Sequence, residues 1–338
     1  MEIRRLDLAD RDSVAAVHAL REHIRAVETP ELAFVPEHVF AKSLANPSPN
    51  TEFRYYTASD GGDVLGVLQV MLPTKDNAHY AEAELAVHPE RRRRGIGTAL
   101  LEQLLVLARD EARSELVVLA RAAIDGGPSR PDAGARFLEH HGFEAALTEI
   151  DRRLDLAAVD PAVEERLWNE AVAAAEDYEV VSWIGRCPEE YLDGLGRIDS
   201  KIFAEIPLGE VDLRPRVIDR QYILAREDRA EASGNAMIRT IAVPKGSNDV
   251  AANTLIYAPE GLQHGEQAIT IVDPAHRGHR LGLLTKLANL RQLREHYGRV
   301  TTLWTGNADT NANMVAINDL LGYWPVDAHV SYKRNIEV

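Results

Sequence analysis

The residues best suited to chemistry fall in two short stretches of the 338-residue chain. In the first, Leu85-Ala86-Val87 reads as a strand that runs through a short turn into Arg92-Arg93-Arg94-Gly95-Ile96-Gly97-Thr98, where a helix begins. Glycines let a backbone approach a ligand closely, and the exposed amides and dipole of a helix start favour an anion, so the pattern is a cradle for a pyrophosphate. It is not a Walker loop, which ends in Gly-Lys-Ser/Thr, nor the dinucleotide fingerprint, whose third glycine is replaced by Leu100. The second stretch, Ile271-Val272-Asp273-Pro274-Ala275-His276-Arg277-Gly278-His279-Arg280-Leu281-Gly282, repeats the strand, basic turn and helix. Carboxylates stand upstream of each cradle. Glu82 and Glu84 share one face of their strand by the period of two, and Glu266 precedes the second. Each could serve as a general base or simply face solvent from a half-exposed strand.

The elements that must position these residues can be read from hydrophobic period and punctuation. Glu2 to Asp7 reads as a strand, Asp10 to about Glu28 as a helix, and a further helix follows Pro36. Phe53 to Ala58 and Val64 to Leu72 form a hairpin, Ala81 to Val87 a strand, Gly95 onward a long helix, Leu116 to Ala120 a strand, and the helix holding Phe137 and Leu138 ends at Gly142. The same order recurs later, with Val180 to Ile184 a strand, Pro188 to Phe203 helical, and Tyr222 to Arg226 with Ala236 to Val243 expected as a hairpin around Ser233-Gly234-Asn235. Ala268 to Val272, the helix from Leu281, Val300 to Trp304 and the helix from Asn311 complete the second set. One order of elements used twice predicts a tandem repeat of an α/β (α+β) domain, with domains at 1–156 and 179–338 and a helical connector at 157–178.

Composition narrows the function. A net charge of −15 disfavours nucleic-acid binding, since phosphate contacts need a basic face. No apolar run reaches the roughly 20 residues of a membrane span, and the start of the chain lacks the apolar core of a signal peptide, so a cytoplasmic protein with no membrane partner is expected. The single cysteine, Cys187, excludes an intrachain disulfide and reads as a small buried residue. His276 and His279 lack a third ligand at a suitable spacing, so no metal is expected.

Arg92-Arg93-Arg94-Gly95-Ile96-Gly97 matches the Arg/Gln-x-x-Gly-x-Gly/Ala signature of the GNAT acyltransferase superfamily, and Phe137-Leu138-Glu139-His140-His141-Gly142-Phe143 resembles that superfamily's closing helix. The resemblance implies two tandem GNAT-like domains, each a twisted mixed sheet flanked by helices, in a layout similar to tandem GNAT proteins such as mycothiol synthase. It implies an N-acetyltransferase with acetyl-CoA as donor and a small-molecule amine as acceptor, working as a monomer or homodimer. It assigns Leu85, Ala86 and Val87 to the pantetheine arm and Arg92 to Thr98 to the pyrophosphate. In the second copy it assigns Ile271, Val272, Arg277, Gly278, Arg280, Gly282 and Asn307, with Arg280 standing where the first glycine belongs. Glu82, Glu84 or Glu266 would be the base; the spacing of Glu266 from Val272 is similar to that of histone-type members. The superfamily's tyrosine acid is missing. Leu138 and Asn318 occupy its place, which leaves water or Tyr323 as proton donor, and leaves open a protein that binds acyl-CoA without turnover.

Overall fold

The computed structural model describes residues 1–337. In chain order the elements are β1 (Glu2–Arg5), α1 (Arg11–Glu28), α2 (Glu37–Ala45), β2 (Thr51–Asp60), β3 (Asp63–Pro73), β4 (Tyr80–Val87), α3 (Ile96–Asp110), β5 (Glu115–Ala122), α4 (Ala133–His140) and β6 (Glu144–Asp155). They continue with α5 (Pro161–Ala174), β7 (Tyr178–Ile184), α6 (Leu192–Asp199), α7 (Ile202–Glu205), α8 (Arg220–Ala232), β8 (Asn235–Pro244) and β9 (Ala252–Pro259). The last are β10 (His264–Val272), α9 (Leu281–His296), β11 (Thr302–Ala308), α10 (Ala312–Leu320) and β12 (Trp324–Asn335).

The chain divides into two compact units, 1–149 with 208–213 and 327–338, and 150–207 with 214–326. These differ from the contiguous segments expected, because the first unit takes 208–213 and the chain from Asp327 onward, both distant in sequence from its main body. In the first unit β1 to β5 lie in order and β12 closes the sheet against β5, from Ala328 opposite Ala122 to Asn335 opposite Glu115. In the second unit the order is β6, β11, β10, β9, β8, β7, where β6 contributes its residues from Ile150 onward. Within 157–178 the chain forms α5, capped by Asp160, which accepts from the Ala162 amide, and α5 belongs to the second unit.

Alternation fixes which face of each strand is core. In β4, Ala81 and Ala83 face α3, whose Leu100, Leu101, Leu104 and Leu107 bury against Leu68, Leu72, Leu116 and Val118. Each such fully buried leucine contributes about 1.5–3 kcal/mol. Tyr80, Glu82 and Glu84 therefore point to the opposite face. The second unit repeats the scheme, with α9 burying Leu283, Leu284, Leu287 and Leu290 against Ile238, Ala252 and Ile256, and with α6 and α8 on the other face.

One expectation fails. Tyr222 to Arg226 is helix, not the first strand of a hairpin, because Asp219 accepts from the Tyr222 amide at 2.8 Å and so starts α8, and the helix formers that follow carry it to Ala232. The hairpin partner of β8 is β9, in register from Asn235 opposite Pro259 to Ala242 opposite Ala252.

The first unit is fastened by a buried charge cluster. Asp327 is fully buried; both its oxygens accept from Arg121 at 2.8 Å, and Oδ2 also accepts from Arg130 Nε at 2.6 Å. Removing one member of such a cluster strands the others without water. Asp327→Ala is expected to destabilise the first unit by about 3–5 kcal/mol, read as a lowered midpoint of its urea transition; a shift too small to measure would show the cluster to be solvated.

Candidate active sites

Both cradles form, and both use left-handed backbone to do so. After the 3-10 turn Pro89–Arg91, Arg93 has φ +62° and Gly95 has φ +79°, and α3 then starts with no side chain capping its first amides. In the second unit the turn Pro274–His276 is followed by Gly278 at φ +90° and Arg280 at φ +53°, and α9 also starts uncapped. Arg280 thus adopts the left-handed conformation that glycine takes in the first copy. Helices α1, α5, α8 and α10 are capped by the side chains of Asp10, Asp160, Asp219 and Asn311, whereas α2, α4, α6 and α7 also start without one, so it is the left-handed loop ahead of the bare start that marks α3 and α9. Leaving α3 and α9 bare keeps their amides free for an anion.

The strands feeding these loops lose a neighbour where the loop approaches. β4 pairs with β5 only over Tyr80 to Ala83, while its pairing with β3 continues to Val87. β10 pairs with β11 only over His264 to Glu266, while its pairing with β9 continues to Val272. Gln267 still meets β11 through its carbonyl, which accepts from the Thr305 hydroxyl at 2.9 Å, but Glu84 to Val87 and Ala268 to Val272 present one edge without a strand neighbour, where an extended amide-bearing ligand can add as a strand would. The second unit differs in one respect. Its β10 register against β9 shifts between Gln267 and Thr270, a bulge at Ala268 and Ile269 that β4 lacks.

The expected cradle residues have distinct surroundings. Arg92 is half-buried and tied down, with its Nη1 2.5 Å from Glu28 Oε1 and its Nε donating to the Val87 carbonyl at 3.2 Å, so it braces the loop. Arg93 and Arg94 are exposed. In the second unit a cavity of about 660 Å³ is lined by Val272, Arg277, Gly278, Arg280, Gly282 and the face of α10 that carries Ile317. Arg277 pairs there with Glu205, and Arg280 with Glu170 at 2.7 Å. His276 accepts or donates to the Tyr178 hydroxyl at 2.9 Å, a structural partner rather than a metal.

The carboxylates are not equivalent. Glu82 is half-buried, accepts from the Tyr80 hydroxyl at 2.7 Å, and has its pKa raised by burial and then by Glu84 and Glu149. Glu84 is exposed and pairs with Arg21 at 3.4 Å. The start of the face they share, at Tyr80, is covered by the chain's own segment 208–213. Val211 is buried against Tyr80 and Val117, the Glu210 amide donates to the Ala146 carbonyl at 2.9 Å, and the Asp212 amide donates to Glu115 at 2.8 Å. Glu266 reaches solvent, yet crowding by surrounding protein raises its pKa. It lies opposite Tyr257 across the β9 and β10 ladder, so the two side chains share a face.

At the place of the missing tyrosine, Asn318 is buried and links two residues. Lys286 Nζ donates to Asn318 Oδ1 at 2.6 Å, and Asn318 Nδ2 donates to Asn307 Oδ1 at 3.0 Å. Tyr323 is not available to a cleft: it is buried in the core, where its ring lies 5.2 Å from Lys286 Nζ. Lys286 has a signal in the sequence that was not used, as the lone charge between Leu281 and Leu290. Sequence reasoning also passed over the bulge and the 208–213 cover. Cys187 is buried as expected, which pushes its thiol up to about 12.

Residues 51–145 match the family model described as an acetyltransferase (GNAT) domain. A mycothiol acetyltransferase of Nocardia farcinica is 27% identical over 83% of this chain and 83% of its own, and one of Geodermatophilus obscurus is 41% identical over 26% of this chain and 25% of its own. Among solved structures, a tandem GNAT protein from the clavulanic acid biosynthesis pathway is similar with a TM-score of 0.82 and 26% identity, covering 99% of this chain and 98% of that one. A GCN5-related N-acetyltransferase from Sphaerobacter thermophilus shares the fold, at a TM-score of 0.69 and 15% identity over 100% of this chain and 96% of that one. Among the described residues no helix is long and apolar enough to cross a membrane.

Two outcomes follow from this geometry. Gly95→Val forces a β-branched residue into a left-handed conformation at a cost of order 1–3 kcal/mol, and is expected to weaken acetyl-CoA binding by the first unit about tenfold or more; unchanged calorimetric affinity would remove the loop from that role. Lys286 is held at a pKa of about 7 by burial, below its unfolded value, so its cost to folding is full in acid and fades as the pH rises above about 7. Lys286→Met should therefore stabilise the second unit more at pH 6 than at pH 9, and an equal gain at both would contradict the assignment.

Proposed function

We propose, from a chain that belongs to the GNAT acetyltransferases, that it moves the acetyl group of acetyl-CoA to a primary amine of a small molecule, with the chemistry in the second unit. The observation that carries this reading is the set of features collected on β10: a bare edge, a bulge, a large cavity at the loop and a carboxylate, Glu266, on the face away from α9. The family supports the donor, and the printed names of the relatives support acetyl as the group transferred.

Acetyl-CoA supplies an activated thioester and would be held by the edge from Ala268 to Val272 and by Gly278 to Gly282. Glu266 takes the proton from the incoming ammonium, and its raised pKa brings it nearer the working pH than an ordinary carboxylate. The disturbed ladder at Ala268 and Ile269 frees backbone N–H to polarise a carbonyl oxygen. The absence of a tyrosine at Asn318 is tolerable, since a thiol of pKa about 8.5 leaves readily as the thiolate.

For the first unit a second reading is favoured, acyl-CoA binding without turnover. Its cradle and edge are intact, but Glu82 is half-buried beside the patch that Val211 closes over Tyr80, and Glu84, though exposed, is paired with Arg21. The assignment makes Glu266→Gln lower kcat by about 10²- to 10⁴-fold and abolish the rising acid limb of the pH profile. The pair Glu82→Gln and Glu84→Gln should change kcat by less than about threefold, given that no proton passes through them. The reverse pattern would move the active site to the first unit.

A further inference from the structure

On the face of the second unit that carries Glu266, a second cavity of about 150 Å³ is lined by Asp199, Arg216, Arg226, Tyr257, Ala268 and Ile269. Its floor is the bulge, and Tyr257 is the cross-strand neighbour of Glu266. Side chains directly opposite in an antiparallel pair stand about 4.5–5.5 Å apart at Cβ, so the cavity opens beside the candidate base.

The polar atoms around this cavity do not balance. The Nε groups of Arg216 and Arg226 are buried and have no partner, and behind them fully buried Arg239 leaves Nε and Nη2 without one. The nearby carboxylate is already used: Asp199 accepts from Arg226 Nη2 at 3.0 Å and from Asn253 Nδ2 at 2.7 Å. Asn253 in turn accepts from Arg239 Nη1 at 2.8 Å. Glu227, which keeps one free oxygen, does not line the cavity; its other oxygen accepts from the Cys187 amide at 3.0 Å. Arg216 is held in place by stacking, with its guanidinium 4.9 Å from the Phe203 ring and 5.4 Å from Tyr222. Arg216 and Arg226 both line the open volume, while Asp199, the carboxylate in that lining, is already engaged by Arg226 and Asn253, so the cavity holds more cationic donor capacity than acceptor. Cationic donors of this geometry take a carboxylate in preference to a hydroxyl.

We propose that this cavity is a subsite for a carboxylate of the acceptor, held by Arg216 and Arg226, which makes the acceptor an amino acid or a small amine bearing a nearby carboxylate. The inference rests on the transferase reading of the second unit. The carboxylate sits over the bulge, and the amine reaches across Tyr257 to Glu266. Amines without an anionic group lose the charge-assisted contacts and keep only the bare edge and the base.

The test uses the full chain with acetyl-CoA and amines matched in pairs: cysteine and cysteamine, phenylalanine and phenethylamine, 4-aminobutyrate and butylamine, with glucosamine as a neutral polyol. Charge-assisted hydrogen bonds predict that the carboxylated member of at least one pair is preferred about 10- to 100-fold in kcat/KM. In Arg216→Gln and Arg226→Gln that ratio should collapse towards one, mainly through KM. Arg216 is half-exposed and the safer variant to fold; acetyl-CoA affinity by calorimetry checks both. A ratio near one in the unaltered protein, a preference for glucosamine, or a ratio that survives both substitutions would overturn the subsite. If no amine is acetylated, the transferase reading itself fails, and the subsite is judged by calorimetry with cysteine, phenylalanine and 4-aminobutyrate. Binding to the unaltered chain that is lost in Arg216→Gln upholds an anion site, and absence of binding overturns it.

Discussion

Everything functional in this fold hangs on the parting of two parallel strands. A strand buried in a sheet must satisfy its amides and carbonyls on both sides, and β4 and β10 each give up one side over their last residues. That loss is tolerable only where water or an extended ligand replaces the missing neighbour. The glycine-bearing loops and bare helix starts lie directly downstream of those open edges, so a single ligand can satisfy edge and helix amides together. A cofactor-sized molecule with a peptide-like arm and a pyrophosphate has that shape and that chemistry.

The two units resolve the same constraint differently on their opposite faces. In the first, apolar Val211 closes over Tyr80 at the start of β4, and the backbone of Gly209 and Glu210 lies against Ala146 of β6, so closely that a Cβ on Gly209 would clash with the Ala146 carbonyl. Burial gained by that cover is stability gained and access lost. In the second, the corresponding face lies under α6 and α8 but keeps buried guanidinium groups and a small open volume beside them. The asymmetry gives a physical account of how one duplicated domain can keep a ligand-binding role and the other the chemistry.

Much of this was legible in the sequence, and what was not has specific causes. The strand, turn and helix of both cradles follow from Arg92 to Gly97 and from Arg277 to Gly282, because glycine and arginine punctuation acts locally. The tandem order of elements was likewise local. Tyr222 to Arg226 misled because Tyr-Ile-Leu suits a strand, whereas the helix is decided by Asp219 three residues earlier and by a following run of Ala, Glu and Arg. β9 escaped notice although it is central. The bulge at Ala268 and Ile269 exists only as a register against β9, and the partners of Val211 lie some hundred residues away; neither leaves a local trace. Unpaired guanidinium groups such as Arg239 look like any arginine until the sheet around them is closed.

The exchange of closing strands bears on how the chain comes to be folded. The first unit's sheet is finished by Ala328 to Asn335 against β5, two hundred residues further along the chain. During synthesis its first five strands must therefore wait, with the β5 edge open, until β12 has been made. An unpaired central edge is a site for wrong pairing, and β5 carries the apolar run Leu116 to Leu119. The segment most exposed to that hazard is thus protected only when β12 arrives, which makes the time between β5 and β12 a quantity on which the yield of folded protein depends.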